Sequence, residues 1–346
     1  MAKNKIYSFI TKHNSISISR FINLCLYESK NGYYQKKKVG EDFLTSPEIS
    51  QMFGECISVF FAFILKKKIN TKINFCEFGP GNGNLIEDIT RSMFKIRKQK
   101  INYFFWEKSN FLNENNFKKL QSKANIKKLK KLNFKKEPYF FICNEFFDAL
   151  PVNQFKKKND NIYERRIKFN DEKLKIFEKK VNFSFKEDLN LKNGEIIESS
   201  PLLNLYLNKI LNHIKKFKGG LIIFDYAPLI KKKIDTIQAI YNKEKCHFLD
   251  HPYDSDITYH IDLKQICDLA IKKSLYAYGP INQKKFLFYN GINERHNFLS
   301  KNCKSIKQKK NLNSQYQRLV DPNGLGSLIK CVYISNEKLN IQFFNE

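Results

Sequence analysis

The sequence has no run of residues suited to crossing a membrane. Even the apolar stretch ISVFFAFIL ends at Lys66, and a transmembrane helix needs roughly 18 consecutive apolar residues. The first residues, MAKNKIYSFITKHNSISIS, are basic and contain no acid. That composition could pass for a transit peptide, but the segment has no apolar core like that of a secretory signal. We expect neither a membrane span nor a secretory signal.

The eight cysteines form no C-x-x-C pair, and several lie in apolar runs. Cysteine in that setting packs as a small hydrophobic residue. We therefore expect reduced thiols in a cytosol-like compartment, which is the cytoplasm in a bacterium and the mitochondrial matrix in a eukaryote. His247, His251 and His260 lie near Cys246, but their spacing matches no common zinc pattern, so no metal site is expected.

Arginine is scarce in a strongly basic chain. The sequence has 62 lysines and arginines against 34 acids, a formal charge of +28, and only seven of the bases are arginine. A nucleic-acid site usually concentrates charge on one face and uses arginine forks. Here the lysines are spread among many Asn, Ile and Phe residues, as in proteins from AT-rich genomes. We therefore expect no dedicated nucleic-acid site.

The length of 346 residues allows one large α/β domain with insertions or two ordinary domains. The patterns divide the chain into a helical N-terminal segment and lid, residues 1–70, and a core, residues 71–346, with an insertion at about 152–200. TSPEISQMFGECISVFFAFILKKK predicts one helix with Ser46 as N-cap, Pro47 in its first turn and lysines at its end. The preceding NGYYQKKKVGEDFLTSPE predicts a loop.

Residues 71–150 have the pattern of a βαβ series. KINFCEF, INYFFWE and PYFFICNE are short apolar runs that each end in a carboxylate, which is typical of parallel strands buried on both faces. NLIEDITRSMFKI, between the first two, has helical periodicity. Ligands of open α/β sheets bind beyond the carboxyl ends of the strands. Glu77, Glu107 and Glu145 are all placed there, so one crevice could collect them.

Three glycines follow the first of these strands. The dinucleotide fingerprint G-x-G-x-x-G would need glycine at position 84, which is Asn84, and the sequence instead has E-x-G-x-G-x-G from Glu77 through Gly79, Gly81 and Gly83. Such a turn lets bare backbone pass under an adenosyl and amino-acid group without seating a pyrophosphate. Glu107, at the end of the next strand, could accept both ribose hydroxyls. Taken without the flanking strands and acid, the glycines also fit an ordinary structural turn.

Later segments are less regular. KKKNDNIYERRIKFNDEKLKIFEKK alternates with a period of two and predicts an exposed hairpin inserted in the fold. SPLLNLYLNKILNHIKKFKGG predicts a helix closed by glycine, and LIIFDY another buried strand. The tail alternates helix and strand patterns. The sequence shows no internal repeat and no obvious linker.

Several blocks spread over most of the chain resemble the MidA-type S-adenosylmethionine-dependent methyltransferases. The two most specific are TSPEISQMFGE and NEFFDALPVNQF, and the others are ISRFINLCLYESKNGYY, EFGPGNGNL, FDYAP, DSDITYHIDL and LVDPNGLGSLIKCVYIS. The match begins by about residue 16, which leaves little room for a removable leader. The chain departs from the family pattern at Asn82 and Asn84, where Arg and Thr are usual, and in DYAP, where DYGY is usual.

The resemblance implies a fold and an activity. The fold is a Rossmann-like, seven-stranded class I methyltransferase core, and the donor is S-adenosyl-L-methionine. Mitochondrial members of the family are protein-arginine methyltransferases that assist assembly of respiratory complex I, so the resemblance implies a protein substrate, with a complex I subunit as the candidate. No metal is needed for this chemistry. The sequence does not set the oligomeric state, and a homodimer is possible.

A guanidinium acceptor must be held, desolvated and relieved of a proton, and paired carboxylates suit that task. NEFFDALP places Asn144, Glu145 and Asp148 just beyond a strand, with Pro151 closing the turn. In a helical turn Glu145 and Asp148 would share one face. We therefore expect them to form a guanidinium clamp, with Asn144 lining the methyl site. The alternative is that Asp148 caps a helix and Glu145 is solvated.

Three more residues are candidates for the site, and two of them, Glu48 and Asp225, have two interpretations each. Glu48 either belongs to a lid over the pocket or only supports the start of a helix. Asp225, at the end of a strand, is either another pocket carboxylate or a turn former. His260, in DSDITYHID, is expected near the acceptor side.

Two other functions remain open from the sequence. A non-catalytic assembly chaperone could keep this fold, although the intact EFGPGNGNL and NEFFDALP count against it. A nucleic-acid methyltransferase is favoured by the charge, but the sequence has no N-P-P-[YF] loop of the kind that many base methylators use.

Overall fold

The computed structural model describes residues 2–28, 30–37, 40, 44–66, 68, 72–97, 101–112, 120, 126–181 and 191–344. The chain forms two compact units. The first, which we call the meander unit, comprises residues 1–37, 148–207 and 231–260, and the second, the sheet unit, comprises residues 38–147, 208–230 and 261–346. This division differs from the sequence-based boundary at residue 70, because residues on both sides of it belong to the sheet unit.

The described residues contain helices and strands in alternation. The helices are α1 (Ala2–Lys12), α2 (Ile18–Asn23), α3 (Ser46–Ile49), α4 (Gln51–Ile64), α5 (Asn84–Ile96), α6 (Pro201–Phe217), α7 (Leu263–Lys272), α8 (Gln283–Tyr289), α9 (Ile292–Lys301), α10 (Ile306–Val320) and α11 (Leu325–Leu328). A π-helix covers Leu24–Glu28, and 3-10 turns cover Tyr33–Gln35 and Gln342–Phe344.

The strands are β1 (Ile16–Ser17), β2 (Ile73–Phe78), β3 (Ile101–Trp106), β4 (Ile126–Lys128), β5 (Tyr139–Asn144), β6 (Asn153–Lys158), β7 (Asn161–Asn170), β8 (Lys173–Lys180), β9 (Ile196–Ser199), β10 (Gly219–Tyr226), β11 (Gln238–Tyr241), β12 (Glu244–Cys246), β13 (Asp256–Thr258), β14 (Tyr276–Asn282) and β15 (Ile329–Ser335). The strands predicted around residues 73–78, 101–106, 139–144 and 221–226 are confirmed.

The sheet unit is built on a seven-stranded sheet of described residues in the order β14-β15-β10-β5-β2-β3-β4. The contacts β10-β5, β5-β2, β2-β3 and β3-β4 are parallel, and β15 pairs antiparallel with β10 and β14. Every residue of β2 and of β5 is buried. Their continuous apolar runs therefore reflect strands covered on both faces.

The helix predicted over residues 45–68 is two helices. α3 begins at Ser46 with Thr45 as its N-cap, and the chain turns extended at Ser50 (φ −161°, ψ 142°). Ser50 then caps α4 by accepting a hydrogen bond from the Met52 backbone N–H. α4 ends at Ile64, before the lysines. A serine side chain competes for backbone groups, so Ser50 serves as a second start signal within one apolar run.

α4 packs into the core of the sheet unit. Its Phe60 and Phe61 are buried, and Phe61 meets Phe75 of β2 edge-on at 4.8 Å between ring centroids. Burial of a phenylalanine contributes about 2 kcal/mol or more to folding, and edge-to-face pairs add about 1 kcal/mol. This helix therefore fixes one face of β2 and, with it, the turn that follows β2.

The meander unit contains a five-stranded antiparallel sheet of described residues, β1-β7-β6-β9, with β8 paired to β7. The segment predicted as one exposed hairpin is therefore a partly buried three-stranded meander, β6 to β8. Its turns have left-handed residues at Asn159 (φ 51°), and at Asp171 and Glu172 (φ 49° and 58°). A second small sheet has the order β12-β11-β13.

The end of α6 differs from its prediction. The left-handed residue after the helix is Lys218 (φ 69°), not a glycine, while Gly219 already starts β10. A Cβ on Gly219 would lie 1.9 Å from the Tyr139 carbonyl oxygen. Glycine is needed here because two backbones approach closely, and not to close the helix. Among the described residues no helix is long and apolar enough to cross a membrane.

Candidate active site

Three carboxylates lie at one edge of the central sheet. Phe78 of β2 pairs with Trp106 of β3 and with Cys143 of β5. Because these strands are parallel and in this register, Glu77, Glu107 and Glu145 all fall at the carboxyl edge. Burial raises the pKa of Glu77, and Glu107 and Glu48 are close enough to add to that rise. The sequence-based prediction of where these residues lie is confirmed.

The glycine turn leaves β2 in a conformation that side chains resist. Gly79, Gly81 and Gly83 have φ of 65°, 54° and 78°, a region that costs other residues about 1 kcal/mol or more. A Cβ on Gly79 would also lie 2.7 Å from Cδ2 of Phe146. The alternating glycines thus leave three positions without side chains at the edge where the carboxylates lie.

Glu77 takes the role that a helix cap would have. Gly83 is the N-cap of α5 and has no side chain to offer, and the Glu77 carboxylate instead accepts a hydrogen bond from the backbone N–H of Ile86. Burial raises the pKa of Glu77 to about 8, with the Ile86 bond opposing the rise. Its Oε2 is buried and has no hydrogen-bond partner among the described residues. A ligand with a donor group would satisfy this oxygen.

Glu107 follows β3 and is held by backbone donors. The Ser109 N–H donates to its Oε1 at 2.8 Å. Burial raises the pKa of Glu107 to about 7, although hydrogen bonds from Ser109 and Lys108 and the charges of Lys128 and Lys108 oppose the rise. A carboxyl group with this pKa changes its protonation state in the physiological range.

Glu48 is linked to the first residue after the glycine turn. Nδ2 of Asn84 donates to Glu48 Oε2 at 2.7 Å. The helix that carries Glu48 is anchored by a buried hydrogen bond from Ser46 Oγ to Gln283 Oε1, at 2.9 Å. Glu48 therefore does more than favour a helix start, since it connects α3 to α5.

Asn144 and Glu145 lie where β5 ends. Glu145 has φ 47°, which is uncommon for a residue with a side chain, and its N–H is held by the Phe224 carbonyl at 2.8 Å. Asn144 Nδ2 donates to Glu145 Oε1 at 3.2 Å, and Asn144 Oδ1 is buried without a hydrogen-bond partner among the described residues. Strained backbone of this kind is concentrated at functional sites.

The helical turn expected to align Glu145 with Asp148 is absent from the described structure, because Glu145 is left-handed and residues 145–150 contain no helical residue. No helix of the described structure begins beside Asp148 either, so the alternative in which Asp148 caps a helix does not apply. Asp148 belongs to the meander unit and Glu145 to the sheet unit. Within the meander unit, the Asp148 carbonyl accepts from the Tyr259 N–H at 3.2 Å.

Asp225 holds the segment that carries Glu145. Its side chain is fully buried. Oδ2 accepts from the Phe147 N–H at 3.0 Å and Oδ1 from the Tyr226 N–H at 2.9 Å. The Phe147 bond fastens the chain leaving β5 to the end of β10, as expected of a turn former, and the Tyr226 bond holds the carboxylate within β10.

His260 lies in the meander unit, where its N–H donates to Thr236 Oγ1 at 3.0 Å. The neighbouring His251 stacks on Tyr241, with ring centroids 3.9 Å apart. The described residues contain no group of three or more His, Cys, Asp and Glu side chains placed to hold a metal ion.

Sequence reasoning missed two parts of this region. The first is Phe146, which packs against Gly79 and meets Phe78 and Trp106 edge-on at 5.6 and 6.1 Å. The second is a cleft of ≈ 640 Å³ beside α3 and the start of α5, with acidic side chains Glu48, Glu87 and Asp88 in its lining. Phe146 adjoins Glu145 in sequence, so proximity could have drawn attention to it. The cleft involves residues near 50, 85 and 305, which no local pattern connects.

The fold places the protein among the class I methyltransferases, whose central sheet has seven, mostly parallel strands. A crystal structure from Burkholderia thailandensis with S-adenosyl-homocysteine bound matches it with a TM-score of 0.80 at 19% identity, covering 96% of this chain and 91% of that one. Residues 56–281 match the family model described as "Putative S-adenosyl-L-methionine-dependent methyltransferase". The chain belongs to this methyltransferase family, and its methyl donor is S-adenosyl-L-methionine.

Curated relatives are similar over nearly the whole chain. The mitochondrial protein arginine methyltransferase NDUFAF7 homolog of Caenorhabditis elegans is 27% identical over 352 residues, which cover 90% of this chain and 81% of that protein. Mitochondrial NDUFAF7 of Bos taurus, also named a protein arginine methyltransferase, is 26% identical over 363 residues, covering 94% and 81%.

Proposed function

We propose that the protein methylates an arginine side chain of another protein. The observation that carries this proposal is the strained Glu145 beside the buried Asn144 at the end of β5. A carboxylate held there at the expense of backbone strain suits a cationic, hydrogen-bonding acceptor. The names of the relatives from Caenorhabditis elegans and Bos taurus support the same acceptor class.

The residues around the glycine turn fit the donor. Gly79, Gly81 and Gly83 would expose backbone to the adenosyl and amino-acid groups. Glu77 Oε2, which has no partner among the described residues, would accept from the ammonium group, and Glu107 would accept from the ribose hydroxyls. When bound, S-adenosyl-L-methionine supplies an electrophilic methyl group on a sulfonium centre.

Glu145 would bind the guanidinium and orient one nitrogen by a charge-assisted hydrogen bond. Methyl transfer is an in-line displacement, so its rate depends on the positions of donor and acceptor more than on acid or base strength. As the nitrogen is alkylated, the guanidinium must lose a proton, and the Glu145 carboxylate would accept it. Asn144 would line the methyl site through its buried amide.

Three further residues have supporting roles in the proposal. Asp225 would act as a positioning residue, since its Oδ2 accepts the Phe147 N–H in the segment after Glu145. Glu48 would close the donor site through Asn84. The roles of Asp148 in the clamp and of His260 near the acceptor remain predictions from sequence, because both residues lie in the meander unit.

The first candidate acceptor is a subunit of respiratory complex I, an assignment that rests on the family resemblance. The relatives are named mitochondrial, so the matrix is the expected compartment for a eukaryotic source and the cytoplasm for a bacterial one.

The test is mass spectrometry of complex I subunits co-expressed with the wild type, with Gly81→Val or with Glu145→Asn. We expect methyl-arginine only with the wild type. Calorimetry with S-adenosyl-homocysteine should show binding to the wild type and Glu145→Asn, and none to Gly81→Val. Methylation at lysine, or identical spectra from all three proteins despite donor binding, would contradict the arginine proposal.

A further inference from the structure

Helices α9 and α10 form a hairpin at the surface of the sheet unit. Tyr316 Oη donates to Asn293 Oδ1 at 2.7 Å, and His296 Nε2 lies 2.9 Å from Asn313 Oδ1. The rings of His296 and Tyr316 are 4.6 Å apart. These contacts fasten the two helices side by side. The last residue of α9, the connection 302–305 and the first residues of α10 together form an ordered tip, residues 301–310.

The tip itself is rigidly capped. Ser305 is the N-cap of α10, and its Oγ accepts from the Gln308 N–H at 3.2 Å. Gln308 in turn accepts from the Lys304 N–H at 2.8 Å through Oε1. This reciprocal arrangement closely resembles a capping box. Side chains on the tip are therefore presented from a fixed backbone, which lowers the entropic cost of using them together.

The hairpin is the longest stretch of one charge sign near the end of the chain. Residues 295–320 contain seven lysines and arginines and no acid. Five of them are tip lysines that form no ion pair within the described part of the chain: Lys301, Lys304, Lys307, Lys309 and Lys310. By contrast, Arg295 is paired with Glu55 at 2.7 Å. No ion pair among the described residues therefore offsets the charge of these five lysines.

A large apolar residue stands among these lysines. Ile306, between Lys304 and Lys307 at the start of α10, is 78% exposed. Residues 304–311 are all exposed, while α10 is buried at its other end through Leu319 and Val320. An isoleucine this exposed gains nothing from the fold of its own chain. Basic residues around an apolar one are the pattern of surfaces that enter the headgroup region of a bilayer.

We propose that the hairpin tip, residues 301–310, docks the protein on an anionic lipid bilayer, with Ile306 inserted among the headgroups. The lysines supply the attraction, at about fivefold in affinity for each one near the surface. A bilayer is favoured over nucleic acid because the tip has lysine but no arginine or aromatic residue, whereas nucleic-acid sites use arginine forks and stacking rings. The protein would bind the membrane surface peripherally and reversibly, and added salt would release it.

The test is co-sedimentation of the full chain with vesicles. Wild type should bind phosphatidylcholine vesicles that contain phosphatidylglycerol at low salt, bind pure phosphatidylcholine much less, and dissociate as salt rises. The triple variant Lys304, Lys307 and Lys310→Gln should bind anionic vesicles about 100-fold more weakly. Ile306→Ser should weaken binding about tenfold, with little change in the salt dependence.

A matched control removes three exposed lysines from the β8 strand of the meander unit: Lys173, Lys179 and Lys180→Gln. It loses the same charge and should bind within about twofold of wild type, a margin smaller than one lysine at the surface. Circular dichroism confirms that each variant is folded. Equal losses from both triple variants would reduce the effect to net charge and overturn the proposal. So would tighter binding to a single-stranded RNA that needs the tip lysines but not Ile306.

Discussion

The ring of Phe146 occupies the space into which a side chain on Gly79 would have to project. The two residues lie in different segments, one after β5 and the other after β2, and a Cβ on Gly79 would be 2.7 Å from Phe146 Cδ2. The glycine turn is therefore held in place by an aromatic residue adjacent to the proposed catalytic carboxylate, so the proposed donor and acceptor sides of the site share one contact.

Gly79→Ala should destabilise the protein by about 2–4 kcal/mol. Roughly 1 kcal/mol comes from φ 65°, and about 1–3 kcal/mol from the overlap with Phe146. Gly194→Ala is a control for the first effect, because Gly194 has φ 87° and nothing within 4 Å of its Cβ position. Denaturant unfolding measures both. If the two variants lost equal stability, the Phe146 contact would contribute nothing.

Donor binding should release a proton near neutral pH. Burial raises the pKa of Glu77 to about 8 and that of Glu107 to about 7, while the donor's ammonium and hydroxyl groups favour the ionised carboxylates. Affinity for S-adenosyl-homocysteine should therefore rise between about pH 6 and pH 8.5. Calorimetry in buffers with different ionisation heats measures the released proton. Glu77→Gln should remove the part of the pH dependence near pH 8, and Glu107→Gln the part near pH 7.

Glu77 and Glu107 should also make the ligand-free protein less stable as the pH rises. Their folded pKa values exceed the unfolded value of 4.5, so the folded state binds the extra protons. The resulting stabilisation is complete below about pH 4.5 and is lost as pH rises through 7 to 8. Between pH 5 and pH 9 the Glu77→Gln variant should lose less stability than wild type, as measured by thermal unfolding. Glu244→Gln, which changes an exposed carboxylate, should follow the wild-type curve.

Glu145→Asn should separate stability from activity. Asparagine tolerates left-handed backbone better than glutamate does, so the variant should be as stable as wild type or more stable. It should retain donor binding. Its rate of methyl transfer should nevertheless fall by about 100-fold or more, because the carboxylate proposed to bind the guanidinium and accept its proton is gone. Single-turnover transfer assays and thermal unfolding test both halves. Full transfer activity in a folded variant would remove Glu145 from the mechanism.

Asp225→Asn should cost about 1–3 kcal/mol of stability. Both carboxylate oxygens accept backbone N–H donors in a fully buried place, and an asparagine can offer only one acceptor oxygen, which leaves one N–H unsatisfied. If Asp225 positions Glu145, the maximal rate should fall while donor affinity stays near that of wild type. A rate that fell only in proportion to the folded fraction would show that Asp225 acts on stability alone.

Local patterns in the sequence determined much of the core. Continuous apolar runs identified β2, β3, β5 and β10, because strands buried on both faces tolerate little polarity. The spacing of Gly79, Gly81 and Gly83 indicated a tight turn without side chains, and the structure adds that all three have the positive φ that glycine adopts freely. The placement of Glu77, Glu107 and Glu145 followed from a topological rule, since parallel strands bring their carboxyl ends to one edge.

Only the tertiary structure decided how the surrounding residues act. It divided the predicted helix at Ser50, turned the expected hairpin into a three-stranded meander, and gave Glu145 a left-handed backbone in place of a helical turn. It also raised the pKa values of Glu77 and Glu107 by burial, and brought Phe146 against Gly79. Each of these depends on contacts between segments far apart in the chain, where packing overrides local preference. The pattern of residues that are adjacent in the sequence contains no information about such contacts.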